Sequence, residues 1–375
     1  MKGRTDVLIV REASFTELAR WDDLVHRFDN WRIVHTRVWV EWLAACGHGR
    51  PLYLLLEQGG EIVGCLPGLL GQLGFLRLFG SPPPGAQTPS MGPAFDRQRV
   101  STQALVAALV PYLERRHGVH HVEVMTSAFD PAAMQASGFR GLPEPTYRAP
   151  LLRADAARYL KTWKDSARRN VRRAEKLGLI ARFEDDERFV EEHYAQITEV
   201  FIRGGHTISF SKGNTLEFFR RMRAAGKLVA ISVYLPDGAT NIATGLFTVD
   251  GKELLLWSWA HHTAYRWYRP TEFLTWHVVR RAMEAGCESV DFMGLGEFKA
   301  KFGAEVDQTK YRWVRSRYRW LLLARNAAAR GYRWQQAVRG RLARLRLPAA
   351  QGHDAEREPS FPETGTVTAQ RRRAP

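Results

Sequence analysis

Cysteine is nearly absent from this chain. Three occur in 375 residues, Cys46, Cys65 and Cys287, with no Cys-x-x-Cys spacing. That excludes a disulfide-stapled scaffold and argues against a structural zinc site. Long apolar runs are missing too. The longest apolar stretch, Ile62 to Gly80, is broken by Gly64, Pro67, Gly68, Gly71, Gln72, Gly74 and Arg77. A spanning helix needs about 20 mostly apolar residues, so this stretch reads as strands and turns. The run from Val7 to Val10 is too short for the apolar core of a signal peptide. Together these absences read as a cytoplasmic protein. Acidic residues are outnumbered, with 39 Asp and Glu against 55 Lys and Arg and a net charge of +16. A balance this basic implies an anionic partner: nucleic acid, an anionic membrane face, a phosphate-rich donor or an acidic carrier protein. With 45% hydrophobic and 25% charged residues, wholesale disorder and fibrous architecture are excluded, and the length suits two domains or three.

The first part reads as a strand over Val7 to Arg11, a helical segment around Ser14 to Phe28, and a tryptophan-rich helix over Thr36 to Ala45. A hairpin follows, PLYLLLE and EIVGCLPGLL joined at Gln58-Gly59-Gly60. Gly80-Ser-Pro-Pro-Pro-Gly is a hard break. A helix from Ser101 to Arg116 leads to the strand HHVEVMT, and Leu142 to Pro150, with three prolines, reads as a linker.

In the second part, Leu160, Trp163, Ala167, Val171, Ala174 and Leu177 recur at steps of three and four, the stripe of one helix ended by Gly178. A second helix fits Glu187 to Arg203, with Phe189, Tyr194, Ile197 and Phe201 inward. A third starts near Asn214, with Glu217 completing a capping box. KLVAISVY, TNIATGLFTV and KELLLWSWA then form a meander through Asp237-Gly238 and Asp250-Gly251. The loop HHTAYRWYRP leads into a helix over Thr271 to Ala285 and the strand ESVDFM. This order predicts an α+β fold of mixed, mostly antiparallel sheets flanked by helices. From Arg312 to Arg346 there are eleven arginines and no acidic residue, with Trp313, Tyr318, Trp320, Tyr332 and Trp334 interleaved. We read a strand over Tyr311 to Tyr318 that completes the sheet, then a basic helix suited to an anionic membrane or to RNA. Pro348 to Pro375 reads as a disordered tail.

WKDSARRNVRRAEKLG, LFTVDGKELLLWSWA, the YRP loop and VDFMGLGEFKAKFG, in that order, resemble the CelD-like branch of the GNAT acyltransferase superfamily, related to the Fem peptidyltransferases. The FKxxFG element is Phe298 to Gly303, and GEIVGCLPGLL…LRLFGSPPP resembles a degenerate first GNAT-like half. The resemblance implies tandem GNAT-like domains, 1–145 and 146–320, followed by a basic extension over 321–347. It implies an acyl donor held between parted strands, with its pyrophosphate where a loop enters a helix. The expected donor is acyl-CoA or an acyl carrier protein. The expected acceptor is an amine or hydroxyl on an anionic or lipid-linked cell-envelope or exopolysaccharide precursor, with peripheral contact at the inner membrane face. The rivals are a Fem-like ligase using aminoacyl-tRNA and a non-catalytic nucleic-acid or membrane-binding protein. One departure stands out. The superfamily commonly carries an Arg/Gln-x-x-Gly-x-Gly/Ala run at this loop, and His261 to Pro270 contains no glycine.

Aminolysis of a thioester needs a base, an oxyanion contact and a proton for the leaving thiolate. Glu297 and Asp291 are the candidate bases, Tyr265 and Tyr268 the candidate acids, and Lys299 the contact to developing charge. Arg266 and Arg269, with Trp257 and Lys301, are the candidate donor contacts. Arg168, Arg169, Asn170, Arg172 and Arg173 on one helix, with His206 after Gly204-Gly205, are the candidate substrate contacts. Aromatic packing and solvated charge are the plain alternatives for each. Arg168 stands beside Arg172 and Arg169 beside Arg173 with no acid among the four, so their repulsion reads as uncompensated. Adjacent His120-His121 and His261-His262 face opposite sides of a strand and do not chelate one metal.

Overall fold

A computed structural model describes residues 7–151 and 155–345. The proposed tail over 348–375 lies outside the described residues. The strands are β1 (Ile9–Glu12), β2 (Arg50–Gln58), β3 (Glu61–Leu73), β4 (Leu76–Ser81), β5 (Ala94–Phe95), β6 (His121–Thr126), β7 (Arg140–Pro143) and β8 (Thr146–Pro150). They continue as β9 (Ile180–Glu184), β10 (Leu228–Tyr234), β11 (Asn241–Asp250), β12 (Glu253–His261), β13 (Ser289–Asp291), β14 (Glu305–Asp307) and β15 (Tyr311–Ser316). The first sheet runs β1-β2-β3-β4-β6-β15-β7, with β5 beside β3, and the second runs β14-β8-β13-β12-β11-β10-β9.

Both sheets follow one plan. An antiparallel meander (β2-β3-β4; β10-β11-β12) is followed by a helix (Thr102–His117; Pro270–Glu284). The helix delivers a strand parallel to the last one of the meander: β6 beside β4, β13 beside β12. The meander turns of the second sheet use Gly238 at φ 69° and Gly251 at φ 64°, left-handed positions that glycine adopts without Cβ strain.

The chain crosses between the sheets twice, and here the structure corrects the sequence reading. Leu142 to Pro150 is no linker; it contains the end of β7 and all of β8, one in each sheet. Its prolines fall at strand ends or between strands, where no ladder donor is needed. β15 returns to the first sheet, between β6 and β7, so it does not complete the second. The two crossings are tied by Glu144 N–H donating to the Lys310 carbonyl at 3.0 Å.

Helices differ in detail. The stripe from Leu160 to Leu177 lies on two helices, Ala156–Thr162 and Asp165–Lys176. The backbone is extended at Trp163 and Lys164, where Lys164 N–H reaches the Lys301 carbonyl at 2.9 Å. The helix read from Asn214 is Lys212–Ala224. Its cap is Ser211, whose hydroxyl accepts from Asn214 N–H. The Ser14 to Phe28 segment is two short helices, Phe15–Ala19 and Trp21–Val25.

One core lies on the first sheet around Leu54, Phe79, Leu109 and Trp313. Another lies under the second around Trp163, Phe247, Phe273 and Phe302. A third joins the halves: Trp39 and Trp42 on helix Arg37–Ala45 meet Phe218 on helix Lys212–Ala224 and Trp257 on β12. Phe218 and Trp257 stack at 4.2 Å with planes 13° apart.

Glu123 on β6 is fully buried. It takes Arg312 Nη1 at 3.0 Å, Arg325 Nε at 2.8 Å and His121 Nε2 at 3.0 Å. Burial works against its charge, but the bonds from His121 and Arg325 and the two guanidinium charges outweigh it and hold the carboxyl at about 2. The folded value lies below the ordinary 4.5. The stabilisation is therefore complete above that pH and is lost as pH falls toward 2. Glu123→Gln leaves the buried Arg312 with only the half-exposed Glu144, 3.3 Å from its Nε, as counter-charge and should lower stability by about 2 kcal/mol. Urea unfolding at neutral pH measures this, and an unchanged midpoint contradicts it.

Candidate active site

Strands β12 and β13 are paired over only three positions, Glu253 with Ser289, Leu254 with Val290, and Leu255 with Asp291. Beyond Leu255, β12 continues to His261 while β13 has ended. Among the described residues no strand lies beside Leu256 to His261 on that edge. On the other edge the register with β11 shifts, so that Leu246 faces Ser258 while Phe247 faces Leu256. Trp257 is the extra residue of this bulge, which bends the strand and turns neighbouring side chains to one side. Trp257 packs on Phe218 and Ser258 reaches His193, both on the side of helices Phe189–Arg203 and Lys212–Ala224.

The end of β13 is made by Asp291. Its Oδ1 accepts from Met293 N–H at 2.8 Å and from the Thr146 hydroxyl at 2.7 Å. Met293 is left-handed at φ 51° and Gly294 follows at φ 76°, so the chain turns away from β12 at once. Lys299 closes the same turn from the far side, with Nζ donating to the Met293 carbonyl at 2.6 Å and the Gly294 carbonyl at 3.3 Å. Burial disfavours its charge and lowers its pKa to about 8.

The gap is a cleft of about 430 Å³. Its floor is the β12 segment Leu256 to His261. One wall is Ile197, Val200, Phe201 and Phe210; the other carries Phe292, Met293, Phe298 and Lys299. Gln87 reaches in from the first half and donates to the Trp257 carbonyl at 3.2 Å. His261 lines the cleft with Thr271 Oγ1 3.3 Å from its Nδ1, and burial lowers its pKa below 6.5, so it is neutral at neutral pH. Its neighbour His262 is held between Glu199 and Glu192, each at 2.7 Å. Burial pulls its pKa down, and the two carboxylate bonds more than reverse this.

Beneath the bulge the hydrogen-bond directions are determined. Gln196 Nε2 donates to Glu192 and Asn241, so its Oε1 accepts from the Thr244 hydroxyl at 2.8 Å. Thr244 Oγ1 therefore accepts from His193 Nδ1 at 2.9 Å, and His193 Nε2 accepts from the Ser258 hydroxyl at 3.1 Å. Burial holds His193 at about 3, which keeps it neutral. Ser258, which lines the cleft, is left with only lone pairs to offer there.

At the other mouth, Arg266 and Arg269 are exposed at the cleft rim. The helix Pro270–Glu284 starts there, with Arg269 left-handed at its N-cap and Pro270 lacking an N–H. In its first turn Glu272 is buried, 2.8 Å from Asn170 Nδ2 and 3.7 Å from Lys301 Nζ. An acidic residue thus stands in the first turn of the helix, its carboxylate turned to Asn170 and Lys301. These residues do not fit the backbone cradle that a coenzyme A pyrophosphate uses. What the mouth offers is guanidinium charge, and Arg173, lying 3.8 Å over the Trp267 ring, extends it along helix Asp165–Lys176.

The structure thus gathers Lys299, Trp257, Arg266 and Arg269 at one cleft. Lys301 and Asn170 reach it through Glu272. Asp291 does not line it; its carboxylate is used by the turn, with Arg32 Nη1 3.6 Å away. Glu297 is exposed and outside the cleft, as is His206. Tyr265 and Tyr268 pack on the second core and each other, at 6.3 Å. Arg168 does not carry uncompensated charge: Asp165 one turn away pairs with it, and the Lys161 carbonyl accepts from it. Arg169 and Arg172 are exposed. Sequence reasoning missed His261, Ser258, His193 and Glu272. The signal for His261 was its place at the end of the one strand that outruns its parallel neighbour. Among the described residues no cluster of three or more His, Cys, Asp or Glu side chains is placed to hold a metal ion.

Residues 163–306 match the family model described as an acetyltransferase (GNAT) domain. No curated protein matches the sequence. Among solved structures, FemX is similar at 12% identity and a TM-score of 0.64, over 81% of this chain and 96% of that one. A tandem GNAT protein from the clavulanic acid biosynthesis pathway is similar at 14% identity and a TM-score of 0.49, over 83% and 98% of the two chains. The C-terminal domain of a putative lysylphosphatidylglycerol synthetase from Agrobacterium fabrum gives 14% and 0.47, over 81% and 92%. The expected fold class stands: two mostly antiparallel sheets flanked by helices, with the match to the GNAT domain model confined to residues 163–306.

If Asp291 serves the turn, Asp291→Asn retains the Oδ1 acceptor and keeps kcat within about tenfold, whereas loss of a general base costs about 100-fold or more. Asp291→Ala, which has no acceptor for Met293 N–H, should lower both stability and activity. Steady-state kinetics on the Asn variant decides between the roles, and a 1000-fold loss in kcat with unchanged thermal stability contradicts the positioning role.

Proposed function

We propose that this chain is an acyltransferase that moves an acyl group from an activated ester or thioester to an amine or hydroxyl. The observation that carries this reading is the cleft between the parted strands, with Lys299 and neutral His261 facing one space. The donor's carbonyl lies along β12 near the Trp257 bulge, with its anionic handle toward Arg266 and Arg269. The acceptor enters beside Ile197, Val200 and Phe201, and Ser258 accepts a hydrogen bond from its N–H or O–H. Attack forms the bond from the acceptor nitrogen or oxygen to the carbonyl carbon, and the acceptor's proton goes to His261. Lys299 stabilises the oxyanion. The bond to the leaving sulfur or oxygen then breaks, and that atom takes the proton back from His261.

The residue pattern of the CelD-like branch supports a cytoplasmic enzyme acting on a cell-envelope or exopolysaccharide precursor. The mouth chemistry favours a second donor class. Glu272 at the helix start and the lack of glycine in His261 to Pro270 weigh against coenzyme A held in the usual manner. The guanidinium rim suits an acidic carrier protein or aminoacyl-tRNA, as in the Fem-like reading. Turnover with acyl-CoA, acyl carrier protein and charged tRNA, over amine and amino-sugar acceptors, separates the donors. No transfer from any donor by folded protein overturns the proposal.

The pH profile follows from the two groups. His261 must be unprotonated, so activity is lost on the acid side, below 6.5. Lys299 must keep its proton, so activity falls as pH rises through about 8. Lys299→Met should lower kcat by about 100-fold or more. Lys299→Arg, charged at all these pH values, should retain more activity and abolish the alkaline limb. A rate that rises through pH 8 contradicts this assignment of Lys299.

A further inference from the structure

The last helix, Arg319–Leu345, is 27 residues long, with seven arginines and no acidic residue. Its inward side is well defined. Leu321 is buried, and Arg325 reaches the buried carboxylate of Glu123, which pins the helix to the first sheet. It also packs against helix Phe189–Arg203. Its outward side carries four large apolar side chains. Trp320 is 50% exposed, Leu323 70%, Trp334 70% and Leu342 53%. At about 100° per residue these four fall within an arc of about 100° and span about 33 Å. The exposed Arg330 and Arg339 lie on opposite flanks of that arc. The face cannot bury itself by insertion across a bilayer, since no described helix is long and apolar enough to span one.

We propose that this face is a docking surface for an anionic phospholipid bilayer, on which the helix lies in the plane of the interface. An apolar arc carrying two tryptophans and two leucines, flanked by arginines and free of acidic charge, matches the layering of that interface. Phosphate-rich RNA would pair with the arginines but gain nothing from Leu323 and Leu342, so the leucines favour lipid. The Glu123–Arg325 pair fixes which side of the helix faces outward. Helix Phe189–Arg203, against which the last helix packs, supplies Ile197, Val200 and Phe201 to the cleft wall. Adsorption therefore brings the cleft to within a few helix diameters of the lipid, a helix being about 10 Å across. The proposal stands apart from the catalytic reading, because binding is measured without turnover.

The test is co-sedimentation of the full chain with large unilamellar vesicles, of phosphatidylcholine alone or with about one-third phosphatidylglycerol. The expected result is binding to the anionic vesicles, weakened by added salt, with little binding to the neutral ones. Leu323→Ala/Trp334→Ala removes only exposed side chains, so folding is retained. It should reduce the partition coefficient by about tenfold at constant charge. Failure to bind anionic vesicles overturns the proposal, as does binding that survives the double substitution. Retention of the chain by a single-stranded RNA homopolymer, with no vesicle binding at the same salt, overturns it in favour of nucleic acid.

Discussion

The candidate site exists because β12 is longer than the strand beside it. Strand pairing is the default for exposed backbone groups, so an unpaired edge in a sheet interior needs a cause. The cause is a single carboxylate. Asp291 captures Met293 N–H and the Thr146 hydroxyl, and the chain leaves the sheet through a left-handed Met293. Lys299 then bridges the carbonyls on the other side of that turn. The lysine proposed to stabilise an oxyanion is thus held by the turn that opens the cleft. An Asp near a strand end looks like a catalytic base on the page, and its use as a hinge pin becomes visible only with the turn in place.

The second constraint is the joint between the halves. Trp257 is at once the bulged residue of β12, part of the floor of the cleft and part of the aromatic core formed with Trp39, Trp42 and Phe218. Gln87, from the first half, holds the Trp257 carbonyl. Arg32, also from the first half, lies 3.5 Å from Glu253 and 3.6 Å from Asp291. The first half therefore does more than repeat the plan of the second. It buttresses the bulge from one side and the strand-end turn from the other.

The meander, its glycine turns and the helices were legible because their signals are local: alternation, Asp-Gly pairs and three- and four-residue stripes. The exchange of strands was not. Nothing in Thr146 to Pro150 says which sheet it will join, because register is settled by partners far along the chain. The FKAKFG element, and Lys299 with it, stood out through the resemblance to the Fem peptidyltransferases rather than through any local rule. Phe298 and Phe302 do pack around Trp259, at 6.0 and 5.8 Å. The four arginines of helix Asp165–Lys176 are not all bare, because Asp165, one turn before Arg168, pairs with that one. His261 and Ser258 were missed because neither belongs to a local motif. They became site residues when β13 stopped short.

The most direct measurement is an experimental structure with a non-hydrolysable acyl thioester analogue bound. The account requires the analogue's carbonyl to lie in the gap beside Leu256 to His261, within hydrogen-bond reach of Lys299, with no ladder between β12 and the chain beyond Asp291. A ladder that continues past Leu255, or an analogue bound elsewhere with the gap closed, would contradict it.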